Sequence, residues 1–311
     1  MCKISDKIMV IFGPTASGKT ALSVALAADL NAEIISADSS QIYRQINILS
    51  AKPTTDEQQG IKHHLIDFLD VCNTFSVADF VKDCKNCIVD IQSRGKNVII
   101  TGGTGLYISS LINNTDFGAI AQIDEKIVQN LRDFAKIRGA NSLHADLSQI
   151  DPQSAKNIHP NDELRIIRAL AHFKATGETL TDAKQRQNKS PSQFNFLKIG
   201  LEYKNREILY DRINKRTDLM LANGAVDEVQ NILKLNPSQT AKNSIGINEI
   251  ETYLNGEITL EQAADLIKQN TRRYAKRQIT WFKREKNTHW LNMCELDFKG
   301  AIKSALKLQS R

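Results

Sequence analysis

Gly13-Pro14-Thr15-Ala16-Ser17-Gly18-Lys19-Thr20 follows the apolar run Ile8 to Phe12 and opens an Ala/Leu-rich segment. The order reads strand, glycine loop, helix. It turns several backbone N–H groups and the positive end of a helix toward one point, where a diphosphate or triphosphate can sit. Lys19 adds a point charge, and Thr20 supplies the hydroxyl that in such loops meets a magnesium ion. Gly13 and Gly18 let the main chain approach phosphate oxygens without a Cβ in the way. Whether the bound phosphate belongs to a nucleotide is left open by the loop itself.

Outward from the loop, Lys19 to Leu30 reads as a helix stopped at Asn31, and Glu33 to Ser36 as a second strand. Strand, helix and strand in so few residues predict a parallel sheet with a crossover helix. The second strand runs into Ala37-Asp38-Ser39-Ser40-Gln41, a polar patch on the carboxyl edge of the sheet, where ligands bind in open α/β folds. His63-His64 reads as a short strand whose adjacent rings face opposite sides, which favours packing or hydrogen bonding over joint metal binding. Ser76 to Arg94 has helical period. Asn97 to Thr101 is a buried strand leading into Gly102-Gly103-Thr104-Gly105, which puts Thr104 at the mouth of the same pocket. No acidic residue ends that strand, unlike a triphosphate hydrolase that holds magnesium through an aspartate there.

From Phe117 to Ser190 the chain turns polar and helical, with clear helices over Asp124 to Arg138 and Asp162 to Thr176. The expected organisation is an α/β core of residues 1–116 and 191–311, interrupted by a helical insertion of residues 117–190. On the second insertion helix, Arg165, Arg168 and His172 form a basic stripe opposite Ile166, Ile167 and Leu170. Phe194 to Leu201 alternates as a strand returning to the sheet. The remainder reads as helical: Asn205 to Asn223, then a long helix from the capping box Thr259-Leu260-Glu261-Gln262 to about Lys286, with Leu260, Ala263, Ala264, Ile267 and Tyr274 on its inward face. Its Arg272-Arg273-Tyr274-Ala275-Lys276-Arg277 and Trp281-Phe282-Lys283-Arg284 interleave cations with aromatics, the pattern that tracks a nucleic-acid backbone.

Composition narrows the class. The 311 residues, 41% hydrophobic, are enough for a full core plus a smaller unit. No apolar run approaches a bilayer's thickness, so neither a signal peptide nor a membrane span is expected. Five cysteines, an odd number without a framework spacing, argue for a reducing cytoplasm. Cys84-Lys85-Asn86-Cys87 lies within a helical pattern and lacks a second pair, against a metal or redox site. The net charge of +6 is modest, and its clustering in the C-terminal helix is what informs.

These segments together resemble the bacterial tRNA dimethylallyltransferases, the IPP transferase family. The likeness rests on residues 13–20, Ile35-Ser36-Ala37-Asp38-Ser39 with Gln41 and Tyr43, Ala51-Lys52-Pro53 and His63-His64-Leu65-Ile66-Asp67. It continues in Gly102 to Tyr107, His159-Pro160-Asn161-Asp162 and Arg272 to Gln278. It implies a P-loop NTPase-like parallel sheet flanked by helices, with a helical insertion contacting tRNA. It also implies a loop, Gly13, Pro14, Thr15, Ala16, Ser17, Gly18, Lys19 and Thr20 with Arg216, that holds dimethylallyl diphosphate rather than ATP. The implied reaction moves the dimethylallyl group to the exocyclic amine of the adenosine 3′ of the anticodon, with Asp38 as general base and Thr104 as a pocket hydrogen-bonder. Asp38, Ser39, Ser40, Gln41 and Thr104 would meet the flipped nucleotide, while Leu164, Arg165, Ile166, Ile167, Arg168, Arg273 and Arg277 would meet tRNA. The implied cofactor is Mg2+, with Thr20 as its protein contact, and the implied form a cytoplasmic monomer away from membranes. Two departures stand out: Ile48-Leu49-Ser50 where the family reads Ile-Gly-Thr, and Ser244-Ile245-Gly246-Ile247-Asn248-Glu249 where it carries an aromatic and a cation after the glycine. No zinc-finger sequence follows Arg284, which favours the bacterial form. A P-loop kinase of a small hydroxyl compound, with ATP in the loop, is the rival reading, and a non-catalytic RNA-binding module is a third.

Overall fold

The structure is a computed structural model that describes residues 6–115, 124–186 and 192–310. In chain order the core's first half runs β1 (Lys7–Phe12), α1 (Lys19–Leu30), β2 (Ala32–Ser36), α2 (Thr55–Gln58), β3 (His63–His64), α3 (Val77–Ser93), β4 (Asn97–Gly102) and α4 (Gly105–Ile112). Five helices follow: α5 (Glu125–Arg138), α6 (Ala140–Ile150), α7 (Pro152–Asn157), α8 (Glu163–Thr176) and α9 (Leu180–Arg186). The chain then returns through β5 (Asn195–Glu202), α10 (Arg206–Ala222), α11 (Ala225–Lys234), α12 (Gln239–Lys242), α13 (Ile247–Leu254), α14 (Leu260–Phe282), β6 (Thr288–Asn292) and α15 (Phe298–Gln309). Contacts divide it into Met1–Ile112 with Ser192–Arg311, and Asn113–Pro191. The boundaries expected at 116/117 and 190/191 fall outside the described residues, as does Cys2.

The first unit is the expected α/β fold. Its six strands lie in the order β3-β2-β4-β1-β5-β6, every pair parallel. β1 is central because it is apolar on both faces: Met9 to Phe12 are fully buried. Met9 and Ile11 pack with Leu22 and Leu26 of α1 and with Ala301 and Ala305 of α15. On β1 too, Phe12 stacks on Phe282 of α14 with centroids 4.6 Å apart, and Phe80 of α3 stacks on Tyr107 of α4 at 4.4 Å. The parallel register brings the carboxyl ends of β1, β2 and β4 to one edge, so residues 13–18, 37–41 and 103–104 emerge side by side.

Caps expected from sequence fall where local chemistry puts them. Asn31 closes α1 in the left-handed conformation. Thr259 and Gln262 form the expected capping box on α14, and Ser76 and Asp79 form a further one on α3 that was not singled out in the sequence. Two expectations are corrected and one is extended. The stretch after Leu201 is not all helix, because Thr288–Asn292 adds an edge strand pairing Lys198 with Thr288 and Gly200 with Trp290. Leu260, expected to face inward, is exposed, being the first residue of α14 in its capping turn. The sequence singles out two insertion helices, whereas the described residues of that unit form five.

The histidines behave as expected. His63 Nδ1 lies 2.9 Å from the Ile61 carbonyl and His64 Nε2 lies 2.7 Å from Glu33 Oε2. Buried Glu33 also takes both arms of Arg94 at 2.6 and 2.7 Å and Lys96 at 2.9 Å. The Arg94 guanidinium, aided by His64 and Lys96, holds its carboxyl well below the usual carboxylate range against the opposing effect of burial.

The insertion unit has its own core of Leu131, Leu143, Leu147, Ile166, Ile167 and Leu170. Asp151 is its polar anchor: buried at the start of α7, it accepts from the Ser154 N–H and from the N–H and hydroxyl of Thr181.

Candidate active site

Where β1 ends, the chain turns back on itself before α1. The Ser17 N–H bonds the Pro14 carbonyl at 3.3 Å, and Gly18 adopts φ 89°, a conformation that favours glycine, to start the helix. Lys19 is folded onto its own loop, donating to the Pro14 carbonyl at 2.7 Å. Burial pushes its ammonium down to about 8, with Asp38 pulling the other way and Arg216 adding to the fall. α10 reaches the loop with two side chains one turn apart. Arg212 Nε donates to the Ala16 carbonyl at 2.8 Å and its guanidinium lies over the Tyr203 ring. Arg216 bonds the Thr15 hydroxyl at 3.3 Å and touches the Ser50 carbonyl at 3.5 Å, burial pulling its pKa down. The sequence shows Arg206, Arg212 and Arg216 together on this helix but puts only Arg216 in the site; the i, i+4 spacing of Arg212 from Arg216 carries the missed signal.

The second wall comes from the end of β2. Asp38 Oδ1 accepts the N–H groups of Ser40 and Gln41 at 2.9 and 3.3 Å, which shapes the turn, while Oδ2 has no hydrogen-bond partner among the described residues. Thr104 Oγ1 accepts the Ser39 N–H at 2.9 Å and donates to the Ser39 hydroxyl at 3.2 Å. Ser40 Oγ accepts from the Ser244 hydroxyl at 3.1 Å. The Gln41 carboxamide is committed to the wall itself, donating to the carbonyls of Ser50 and Ala51 and accepting from the Ser36 hydroxyl. Residues 47–51 are held in turn by α11, where Glu228 accepts the N–H groups of Asn47, Ile48 and Leu49 at 2.8, 2.8 and 3.0 Å. Gly102 and Gly103 meet protein: a Cβ on the first would strike the Ala37 carbonyl, and on the second the Gln278 side chain.

These walls enclose a cavity of about 1000 Å³ lined by Thr15 to Thr20, Asp38 to Gln41, Arg216, Tyr274 and Arg277. Five cations line it (Lys19, Arg212, Lys215, Arg216 and Arg277) against two carboxylates, Asp38 and Glu57. That balance suits a polyanion. Tyr274 is half-buried; burial and then the Asp38 charge push its phenol above the usual range.

Only part of the expected basic surface is free. Arg273 and Lys276 are exposed, and Arg277 lies over the Tyr274 ring with its charge 5.6 Å from the centroid. The aromatics turn inward instead of facing solvent: Trp281 Nε1 donates to the Ser109 hydroxyl and Phe282 is buried on Phe12. Arg272 is turned onto Asn214 at 2.7 Å. In the insertion unit, Leu164, Arg165 and Arg168 are exposed, but Ile166, Ile167 and His172 are buried. The side chains of Ile166 and Ile167 therefore build the unit's core, and the stripe lacks its histidine.

A magnesium ion has modest support from protein oxygens. Among the described residues no group of three His, Cys, Asp or Glu could hold a metal, and the cavity offers Thr20 and Asp38 beside the loop. That set fits an ion held chiefly by substrate phosphates. Cys84 is buried, with its thiol pushed well up by burial, and Cys87 is also free.

Comparison with known proteins gives the same direction along the whole chain. A family model described as IPP transferase matches residues 41–285. A tRNA dimethylallyltransferase of Halalkalibacterium halodurans is 43% identical over 301 residues, covering 96% of this chain and 95% of the relative. One from Acetivibrio thermocellus is 44% identical over 304 residues, covering 97% and 96%. A crystal structure of the full-length tRNA isopentenylpyrophosphate transferase from Bacillus halodurans is similar at TM-score 0.70 and 40% identity, over 98% of this chain and 100% of that one. A eukaryotic dimethylallyltransferase acting on tRNA is similar at TM-score 0.81 and 29% identity, over 96% and 77%.

Proposed function

This chain belongs to the IPP transferase family, and on that premise we propose that it transfers a dimethylallyl group from dimethylallyl diphosphate to the exocyclic amine of the adenosine 3′ of the anticodon in tRNA. The observation that carries the reading is the shared cavity of the phosphate loop and Asp38. Lys19 and Arg216 lie within electrostatic reach of that carboxylate, so a cationic cradle and a base face one space.

The diphosphate rests on the loop N–H groups, Lys19 and Arg216. As the allylic C–O bond breaks, both electrons leave with the diphosphate, and preset positive charge is where stabilisation is most effective. The adenine nitrogen forms the new C–N bond and Asp38 takes the proton it loses. An aromatic amine is a weak nucleophile, which is why an acceptor for that proton matters. Asp38 Oδ2 is the free oxygen for this task, since Oδ1 is engaged by the turn. Thr104, already bonded to Ser39, hydrogen-bonds on the acceptor side, where Ser39, Ser40 and the main chain of Gln41 border the nucleotide. Magnesium, with Thr20 as its protein contact, supplies further charge to the diphosphate when bound.

Exposed Arg273, Arg277, Leu164, Arg165 and Arg168 are the proposed tRNA contacts, with residues 117–190 as the RNA-contacting insertion. No helix among the described residues is long and apolar enough to cross a membrane; a cytoplasmic monomer is the proposed form. The test is incubation with labelled dimethylallyl diphosphate or labelled ATP, with and without tRNA, followed by mass analysis of anticodon-loop fragments. A prenylated adenosine that depends on both substrates supports the reading; phosphoryl transfer from ATP to a small hydroxyl compound replaces it with a kinase.

A further inference from the structure

The buried face of α14 carries a carboxamide among apolar neighbours. Gln278 is 4% exposed and shares that face with Ala275 and Phe282. Its Oε1 accepts the Thr15 N–H at 2.8 Å and its Nε2 donates to the Gly103 carbonyl at 2.9 Å. The amide can point only one way, because a flip would set donor against donor and acceptor against acceptor. The partners lie 263 and 175 residues away, in the loops that end β1 and β4, and both line the cavity. Space is reserved for the contact: a Cβ on Gly103 would lie 2.4 Å from Gln278 Nε2.

We infer that Gln278 is a positioning residue of the donor site, pinning the start of the phosphate loop to the β4 loop before any ligand arrives. The inference rests on the proposed reading that this loop holds a diphosphate. By engaging the Thr15 N–H, Gln278 fixes where the loop begins, while the N–H groups from Gly18 onward at the start of α1 face the anion. A loop ordered in advance spares the ligand that ordering, which is how preorganisation raises affinity. Without the carboxamide, a half-buried N–H and a buried carbonyl lose their partners and both loops loosen.

The test is calorimetric titration of the full chain with inorganic pyrophosphate, comparing the parent protein with Gln278→Met, Gln278→Glu and Lys19→Ala. Gln278→Met keeps the side-chain length and removes both hydrogen bonds; its dissociation constant should rise about tenfold or more, as the loss of two hydrogen bonds implies. Gln278→Glu should bind poorly when ionised and recover as the pH is lowered, because a protonated carboxyl again offers one donor and one acceptor. A merely structural role would lower the melting temperature without that recovery. Folded Gln278→Met protein that binds pyrophosphate within threefold of the parent, or Gln278→Glu protein with no recovery at low pH, overturns the inference. Parent protein that binds pyrophosphate no better than Lys19→Ala overturns the underlying reading of the loop, and the inference with it.

Discussion

The ammonium of Lys19 donates to the carbonyl of Pro14 at 2.7 Å, so the cation of the phosphate loop is docked on the loop itself. Burial holds its pKa down to about 8. A diphosphate favours the charged form and so draws a proton onto Lys19 wherever the free protein has lost it. Donor affinity should be level below about pH 8 and fall above it, by up to tenfold per unit. Lys19→Ala should bind donor weakly and without that alkaline limb, while tRNA affinity stays within about threefold, one pairwise contact being small beside a multi-phosphate interface. Titrations of each ligand from pH 7 to 10 read both effects; a parallel loss of tRNA binding would place donor and RNA on one surface.

Asp38→Asn preserves the acceptor that holds the Ser40 and Gln41 N–H groups and removes the proton acceptor. Single-turnover prenylation should slow by roughly 10²- to 10⁴-fold with little change in either dissociation constant. If Asp38 only shapes its turn, the cost is at most about 1 kcal/mol of stability with near-normal turnover. A folded variant within threefold of the parent rate would exclude it as the base.

Neutralising Arg273 and Arg277 together should weaken tRNA binding and flatten its salt dependence, each lost phosphate contact lowering the slope of log K against log salt by about 0.7 to 0.9. Both are exposed at the surface of α14. An unchanged slope would assign them to solvent.

Glu33 sets the acid limit of the fold. Its carboxyl titrates lower in the folded chain than in the unfolded one, so its contribution is complete above about pH 4.3 and is lost progressively below it. Glu33→Gln should cost about 2 to 3 kcal/mol at neutral pH, at or below the roughly 3 to 5 kcal/mol of breaking a fully buried ion pair, because Arg94 and Lys96 are 36% and 39% exposed. Its stability should also fall less steeply than the parent's between pH 4 and 2, as denaturant melts would show.

What could be seen from the sequence was local. The strand, glycine loop and helix around Lys19, the stop at Asn31 and the capping box at Thr259 depend on neighbours within four residues, and each lies where expected. The edge strand Thr288–Asn292 spans five residues, too few for a period to stand out. In α8, Ala169 and Ala171 are buried as well as Ile166, Ile167 and Leu170, so the buried arc is wide enough to take in His172. Bringing Asp38 and Thr104 to one edge of the sheet needed only the rule that parallel strands share a carboxyl edge; Asp38 lines the cavity, while Thr104 stands behind it, bonded to Ser39. The committed carboxamide of Gln41 and the bridge made by Gln278 depend on partners that only the tertiary fold brings near.

The polar surface that residues 50 and 51 give the cavity is main chain: their carbonyls receive Gln41, while the N–H groups of Asn47, Ile48 and Leu49 are gathered by Glu228. Side chains at 48–50 can therefore change while the main-chain groups of this wall keep their partners. The burden of inheritance shifts to α11. No exchange of side chains within 47–51 replaces the Glu228 carboxylate, so this wall of the cavity can vary in sequence only while one acid on another helix stays in place.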